Sequence, residues 1–114
     1  MRAVGLFVHG GPEVLQVVDV PEVHAGPGQV RVRVHAATVN PTDTKARDGA
    51  RAEEHKLLPP PYGPGMDIAG IVDEVGEGVT TAVQVGDAVM AMVVPKANHG
   101  GYREQIVLDQ RAVL

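Results

Sequence analysis

Residues 29–39 read Gln29-Val30-Arg31-Val32-Arg33-Val34-His35-Ala36-Ala37-Thr38-Val39. Apolar and charged side chains alternate here with the period of a β-strand, which puts Val30, Val32 and Val34 on a buried face. Arg31, Arg33 and His35 fall on the opposite, wet face. The turn that introduces the strand is Ala25-Gly26-Pro27-Gly28. Working outward, the same chemistry recurs. Valine supplies 21 of the 114 residues and aromatic residues only 3%, and 14 Gly and 9 Pro interrupt the apolar runs. A β-branched chain punctuated in this way predicts short strands joined by turns. Strands are expected over 3–8, 14–20, 66–75, 87–94 and 102–108, with a loop at 95–101. That spacing predicts a small all-β barrel or sandwich.

One stretch departs from the pattern. Residues 40–70 contain no valine. They open with Asn40-Pro41-Thr42-Asp43, a helix start with a capping residue followed by proline at the first helical position. Gly49 is the expected stop. The stretch then runs into Pro59-Pro60-Pro61-Tyr62-Gly63-Pro64-Gly65, which cannot be a central strand. A polar, conformationally fixed excursion from a β scaffold is where function is expected.

Composition removes several classes. With 44% hydrophobic residues the chain can build a core, so disorder is excluded. A net charge of -4 argues against nucleic acid as a partner. There is no cysteine, hence no disulfide or thiolate metal site, and no serine to act as a nucleophile. No apolar run approaches the ~18 residues of a membrane span, and no signal peptide opens the chain, so a cytoplasmic location is expected. Gly76-Glu77-Gly78 follows a strand but lacks the helix that phosphate binding needs, and is read as a turn. His9, His24, His35, His55 and His99 show no metal-ligand spacing and are read as surface or loop residues. The adjacent acids Glu53-Glu54 and Asp73-Glu74, like Arg31 and Arg33, are read as solvated charges.

Four motifs carry a resemblance. Gly65-Met66-Asp67-Ile68-Ala69-Gly70, followed after five residues by Gly76 and after two more by Val79, resembles the medium-chain alcohol dehydrogenase signature Gly-His-Glu-x-x-Gly-x5-Gly-x-x-Val. Met66 stands for its His and Asp67 for its Glu. Ala36-Ala37-Thr38-Val39-Asn40-Pro41-Thr42-Asp43 resembles the family stretch in which a zinc-ligand cysteine occupies the place of Asn40. Val85-Gly86-Asp87-Ala88-Val89 and Gly100-Gly101-Tyr102-Arg103-Glu104 agree as well. The chain thus resembles the N-terminal GroES-like domain of the medium-chain dehydrogenases and reductases, in their zinc-free, zeta-crystallin-like quinone oxidoreductase branch.

This resemblance implies a mainly β fold, a partly open GroES-like barrel with one or two short helices. Residues 1–114 would be the substrate-side domain, and the Rossmann domain that binds the cofactor would lie outside this chain. The implied reaction is hydride transfer from NADPH to a quinone or conjugated carbonyl, and the chain alone is expected to be inactive. No zinc is expected, because a catalytic zinc takes three protein ligands and Asn40 and Met66 replace two. Asn40 is implied to lie nearest the nicotinamide and the substrate carbonyl, though it reads equally well as a helix cap. Thr42 takes the place of a proton-relay hydroxyl on the cofactor side. Lys45 and Tyr62 are further catalytic candidates, with a surface lysine and simple packing as their plainer readings. Asp67 is expected to hold its loop by hydrogen bonds. The sequence leaves self-association open. The other function considered is a stand-alone GroES-like binding or assembly module, and the proline-locked excursion counts against it.

Overall fold

A computed structural model of the chain describes residues 1–50, 52–57, 59–94 and 99–114, with Glu54 described by its backbone alone. β1 (Arg2–Gly5) and β2 (Gln16–Asp19) pair antiparallel as a two-stranded sheet. The larger sheet holds β3 (Gln29–Ala37), β4 (Asp67–Val75), β5 (Ala88–Met92) and β6 (Gln105–Asp109) in the order β5-β4-β3-β6, all antiparallel. The small sheet is tied on through Val4 N–H donating to Tyr102 O at 2.8 Å and Leu6 N–H donating to Tyr62 O at 3.0 Å. The architecture is therefore mainly β and does not close into a complete barrel, as expected.

The alternation of β3 holds where it matters. Val30 and Val32 are 0% exposed and pack with Ile68, Val72, Val89, Ile106 and Leu108. Each such side chain contributes about 1.5–3 kcal/mol over its exposed state. The pattern stops at Val34, where the β3–β4 register shifts before Ala36. A bulge of this kind breaks the in–out alternation, and Ala36, Ala37 and Thr38 all end up exposed.

Two charge readings need correction. Arg31 is not solvated: its side chain is 14% exposed and its Nε donates to Asp73 Oδ1 at 2.8 Å. Asp73 also accepts from Gln105 Nε2 at 2.7 Å, and Glu74 accepts from the Ala25 N–H and pairs with His24. In the four-stranded sheet the outward side chains of β4, β3 and β6 stand side by side on one face, so cross-strand pairing replaces solvation. The strands are also shorter than expected. Residues 12–14 form a 3-10 turn rather than the start of β2, because Pro12 fixes its own φ and lacks an N–H for the ladder.

The valine-free segment carries the helices. α1 spans Pro41–Asp48, capped by Asn40 and stopped by Gly49 at φ 113°, both at their expected places. A four-residue α2 follows at Ala52–His55. The last residue returns to the sheet: Leu114 N–H donates to Met90 O at 2.8 Å, and Met90 N–H to Leu114 O at 3.2 Å.

Candidate active site

The Gly63–Gly65 bend and the Gly100-Gly101 pair exist for one contact. Gly65 sits at φ 115°, and a Cβ there would lie 2.5 Å from Gly101 N. With no side chain at either position the two backbones touch. Gly101 N–H donates to Gly65 O at 3.0 Å and Tyr102 N–H to Pro64 O at 3.2 Å. The contact delivers Tyr102 to the start of α1. Its hydroxyl lies 3.0 Å from Thr38 O and 3.3 Å from Asp43 Oδ2, so its single proton is shared between two acceptors. Burial first, then the Asp43 charge, push the Tyr102 phenol up to about 12. It stays a neutral donor.

Asp43 is the hub. It is 4% exposed, the third residue of α1, and each of its oxygens holds a different segment. Oδ1 accepts from Gly65 N–H at 2.8 Å, and Oδ2 accepts from Asn40 N–H at 2.9 Å. The second bond is half of a capping box, with the Asn40 side chain facing the Asp43 N–H in return. A buried carboxylate is tolerated here because it meets three donors at the positive end of a helix.

On the outer side of the cap a smaller ring closes. Asp67, the first residue of β4, accepts at Oδ2 from Thr38 Oγ1 at 3.0 Å and from Asn40 Nδ2 at 3.1 Å. Asn40 Nδ2 also donates to Thr38 Oγ1 at 3.0 Å. A carboxylate can only accept, so this arrangement fixes which way the Asn40 amide is turned. The expectation that Asp67 holds its loop by hydrogen bonds agrees with this geometry. Thr38 and Asp67 then form one polar edge of a mainly apolar cleft of about 390 Å³, whose other walls include Ala36, Ala69, Met90 and Met92. Met90 and Met92 point out of the sheet because Val89 and Ala91 point in.

The sequence candidates separate into different places. Asn40 joins Thr38, Asp43, Asp67 and Tyr102. Thr42 sits half-buried in the first turn of α1, and Lys45 is exposed on the same helix. Tyr62 belongs to a second cluster: its hydroxyl donates to His55 O at 2.9 Å and its ring stacks on His55 at 4.1 Å between centroids. His55 in turn meets His9, Nδ1 to Nε2, at 2.8 Å. These two rings are parallel within 8° and 5.1 Å apart at their centroids. The nitrogens approach closer than stacked rings can, so the imidazoles lie edge to edge and share one proton. The surface reading therefore fails for His55, which is 6% exposed. It failed because partners 46 positions apart leave no local spacing signal. Thr38, Asp43 and Tyr102 were missed as site residues, although Asp three places after a capping Asn was a legible capping-box signal.

Residues 26–114 match the family model described as the alcohol dehydrogenase GroES-like domain. The chain belongs to this family. A quinone oxidoreductase of Rattus norvegicus is 42% identical over 109 residues, which are 91% of this chain and 30% of that protein. The structure of the quinone oxidoreductase from Coxiella burnetii superposes with TM-score 0.88 at 33% identity, covering 100% of this chain and 36% of that one. The Escherichia coli quinone oxidoreductase complexed with NADPH gives 0.80 at 30% identity, covering 100% and 32%. The chain spans about a third of the length of these relatives.

Proposed function

We propose that this GroES-like chain is the substrate-side domain of an NADPH-dependent oxidoreductase acting on quinones or conjugated carbonyls. On this reading it is inactive by itself, with residues 1–114 as one domain and the cofactor held by a separate Rossmann domain. The observation that carries the reading is Asn40, bound into a ring with Thr38 and Asp67 at the edge of an apolar cleft. The cleft falls in the size range of small-molecule sites, and the similarity to quinone oxidoreductases supplies the substrate class. The NADPH named with the Escherichia coli relative supplies the cofactor.

The residues present do not fit a catalytic zinc. Asn40 spends its amide hydrogens on Asp67 and Thr38, and Met66 offers a thioether, a poor zinc donor. Among the described residues no three His, Cys, Asp or Glu side chains gather. A quinone spreads the charge of an incoming hydride over its conjugated system, so the reaction has no need of a Lewis acid. The chain also fits a wall of a cofactor site and not its anchor, since Gly76-Glu77-Gly78 is a turn between strands with Gly78 at φ 71°. NADPH, when bound, supplies the hydride. Asn40 and Thr42 would face the nicotinamide, Lys45 a phosphate, and Tyr62 would stiffen the rim through His55.

The test is NADPH oxidation with 1,4-benzoquinone as acceptor, followed by absorbance. The chain alone should give no turnover. The chain joined to the C-terminal two-thirds of the rat relative should turn over, and should lose at least ~10-fold on Asn40→Ala. A folded fusion without turnover would refute the reading, and so would turnover by the isolated chain.

A further inference from the structure

The donors of the ring around Asn40, and those of the two tyrosines, are spent inside the protein. Tyr102 shares its proton between Thr38 O and Asp43, Tyr62 gives its own to His55 O, and Thr38 gives its own to Asp67. Asn40 has two amide hydrogens, and two acceptors, Asp67 Oδ2 and Thr38 Oγ1, lie at 3.1 Å and 3.0 Å from Nδ2. Among the described residues Asp67 Oδ1 takes no hydrogen bond, and Asp67 borders the apolar cleft. The ring of Asn40, Thr38 and Asp67 therefore offers acceptors to the cleft.

We propose that Asp67 is a positioning residue: it turns both amide hydrogens of Asn40 inward, so that this wall recognises a hydrogen-bond donor on its ligand. The inference rests on the function proposed above and deepens it. A group carrying N–H or O–H, such as a carboxamide or the hydroxyl of a reduced quinone, meets the outer Asp67 oxygen at the edge of the cleft. A bare carbonyl oxygen finds no donor among these side chains, and its proton comes from elsewhere. Thr38 is part of the same device: its hydroxyl donates to Asp67 Oδ2 while its oxygen accepts from Asn40 Nδ2. Asp67→Ala would free one amide hydrogen of Asn40 directly and leave the Thr38 hydroxyl proton without its acceptor, so that the ring loses both bonds to position 67.

Nuclear magnetic resonance of the 15N-labelled chain tests the ring without any catalytic assay. The side-chain amide hydrogens of Asn40 should exchange with solvent at least ~10-fold more slowly than those of Gln16, whose side chain is exposed. Asp67→Ala should abolish that protection with the backbone spectrum of the sheet kept, and Asp67→Glu should restore most of it. Fast exchange in the unsubstituted chain would overturn the proposal even if every variant misfolded. In the fusion enzyme, Asp67→Ala should lower kcat about tenfold with KM changed less than about twofold. Unchanged kcat alongside lost protection would refute positioning. Slow exchange in a fusion that never oxidises NADPH would instead sink the function reading and leave the ring standing.

Discussion

The sheet and the valine-free segment are held by opposite chemistry. In β3, β4 and β6, Val30, Val32, Val72 and Ile106 are 0% exposed, and what keeps the strands together is apolar area removed from water. From Asn40 to Gly65 the buried anchor is a carboxylate, Asp43, and three segments converge on it: the cap of α1, the Gly65 bend and the Tyr102 loop. Apolar packing is shared among many side chains and degrades gradually. A polar hub is shared among few and fails all at once. The site sits on the second kind of structure while resting on the first, and that division can be tested by removing one member of each.

The largest loss is expected from the sheet. Ile106→Ala removes a fully buried side chain of β6, opposite Val32 of β3, and should cost about 4 kcal/mol of global stability in urea unfolding. Amide exchange should accelerate everywhere, in β3 and at Gly65 alike. Acceleration confined to β6 would show that the core is not one cooperative unit.

Asp43→Ala comes next, at about 3 kcal/mol, the sum of a lost cap and a buried Gly65 N–H left without an acceptor. Its signature is different. The Gly65 and Asn40 amides should lose protection while Val30 and Val32 keep theirs. If β3 exchanged as fast as Gly65 in this variant, the two regions would be a single unit and the contrast between them would collapse.

The same contrast explains what could be read from sequence. Apolar burial leaves a periodic trace, so Val30, Val32 and the helix signals at Asn40 and Gly49 were legible along the chain. The four glycine and Asn-Pro motifs located the site, because backbones that touch, as at Gly65 and Gly101, demand glycine and so leave a fixed pattern. The partnerships did not show. Arg31 with Asp73, His9 with His55, and Tyr102 with Asp43 lie 42, 46 and 59 positions apart, and a charge or ring awaiting a distant partner looks like one facing water. Lys45 is a candidate by resemblance and Tyr62 by its place in the proline-rich lip, and the partner that takes the Tyr62 hydroxyl proton, His55 O, leaves no mark in the sequence.

The smallest of these effects belongs to Tyr102, and it carries a pH dependence that neither other variant has. Tyr102→Phe keeps the ring and removes one hydrogen bond, and should cost about 1 kcal/mol at neutral pH. In the folded chain the phenol is pushed up to about 12, chiefly by burial and then by Asp43, against an ordinary value of 10.0. The folded state therefore holds the proton more tightly than the unfolded state does. Whatever this contributes is fully present below pH 10 and is lost as pH rises from about 10 to about 12. Urea unfolding should show stability falling across that window in the unsubstituted chain, and a smaller fall in Tyr102→Phe. Because Tyr102 is only half-buried, water screens the Asp43 charge and the difference should be modest. An equal fall in both chains would show that Asp43 is held by its two backbone donors alone, and that Tyr102 covers the hub without taking part in it.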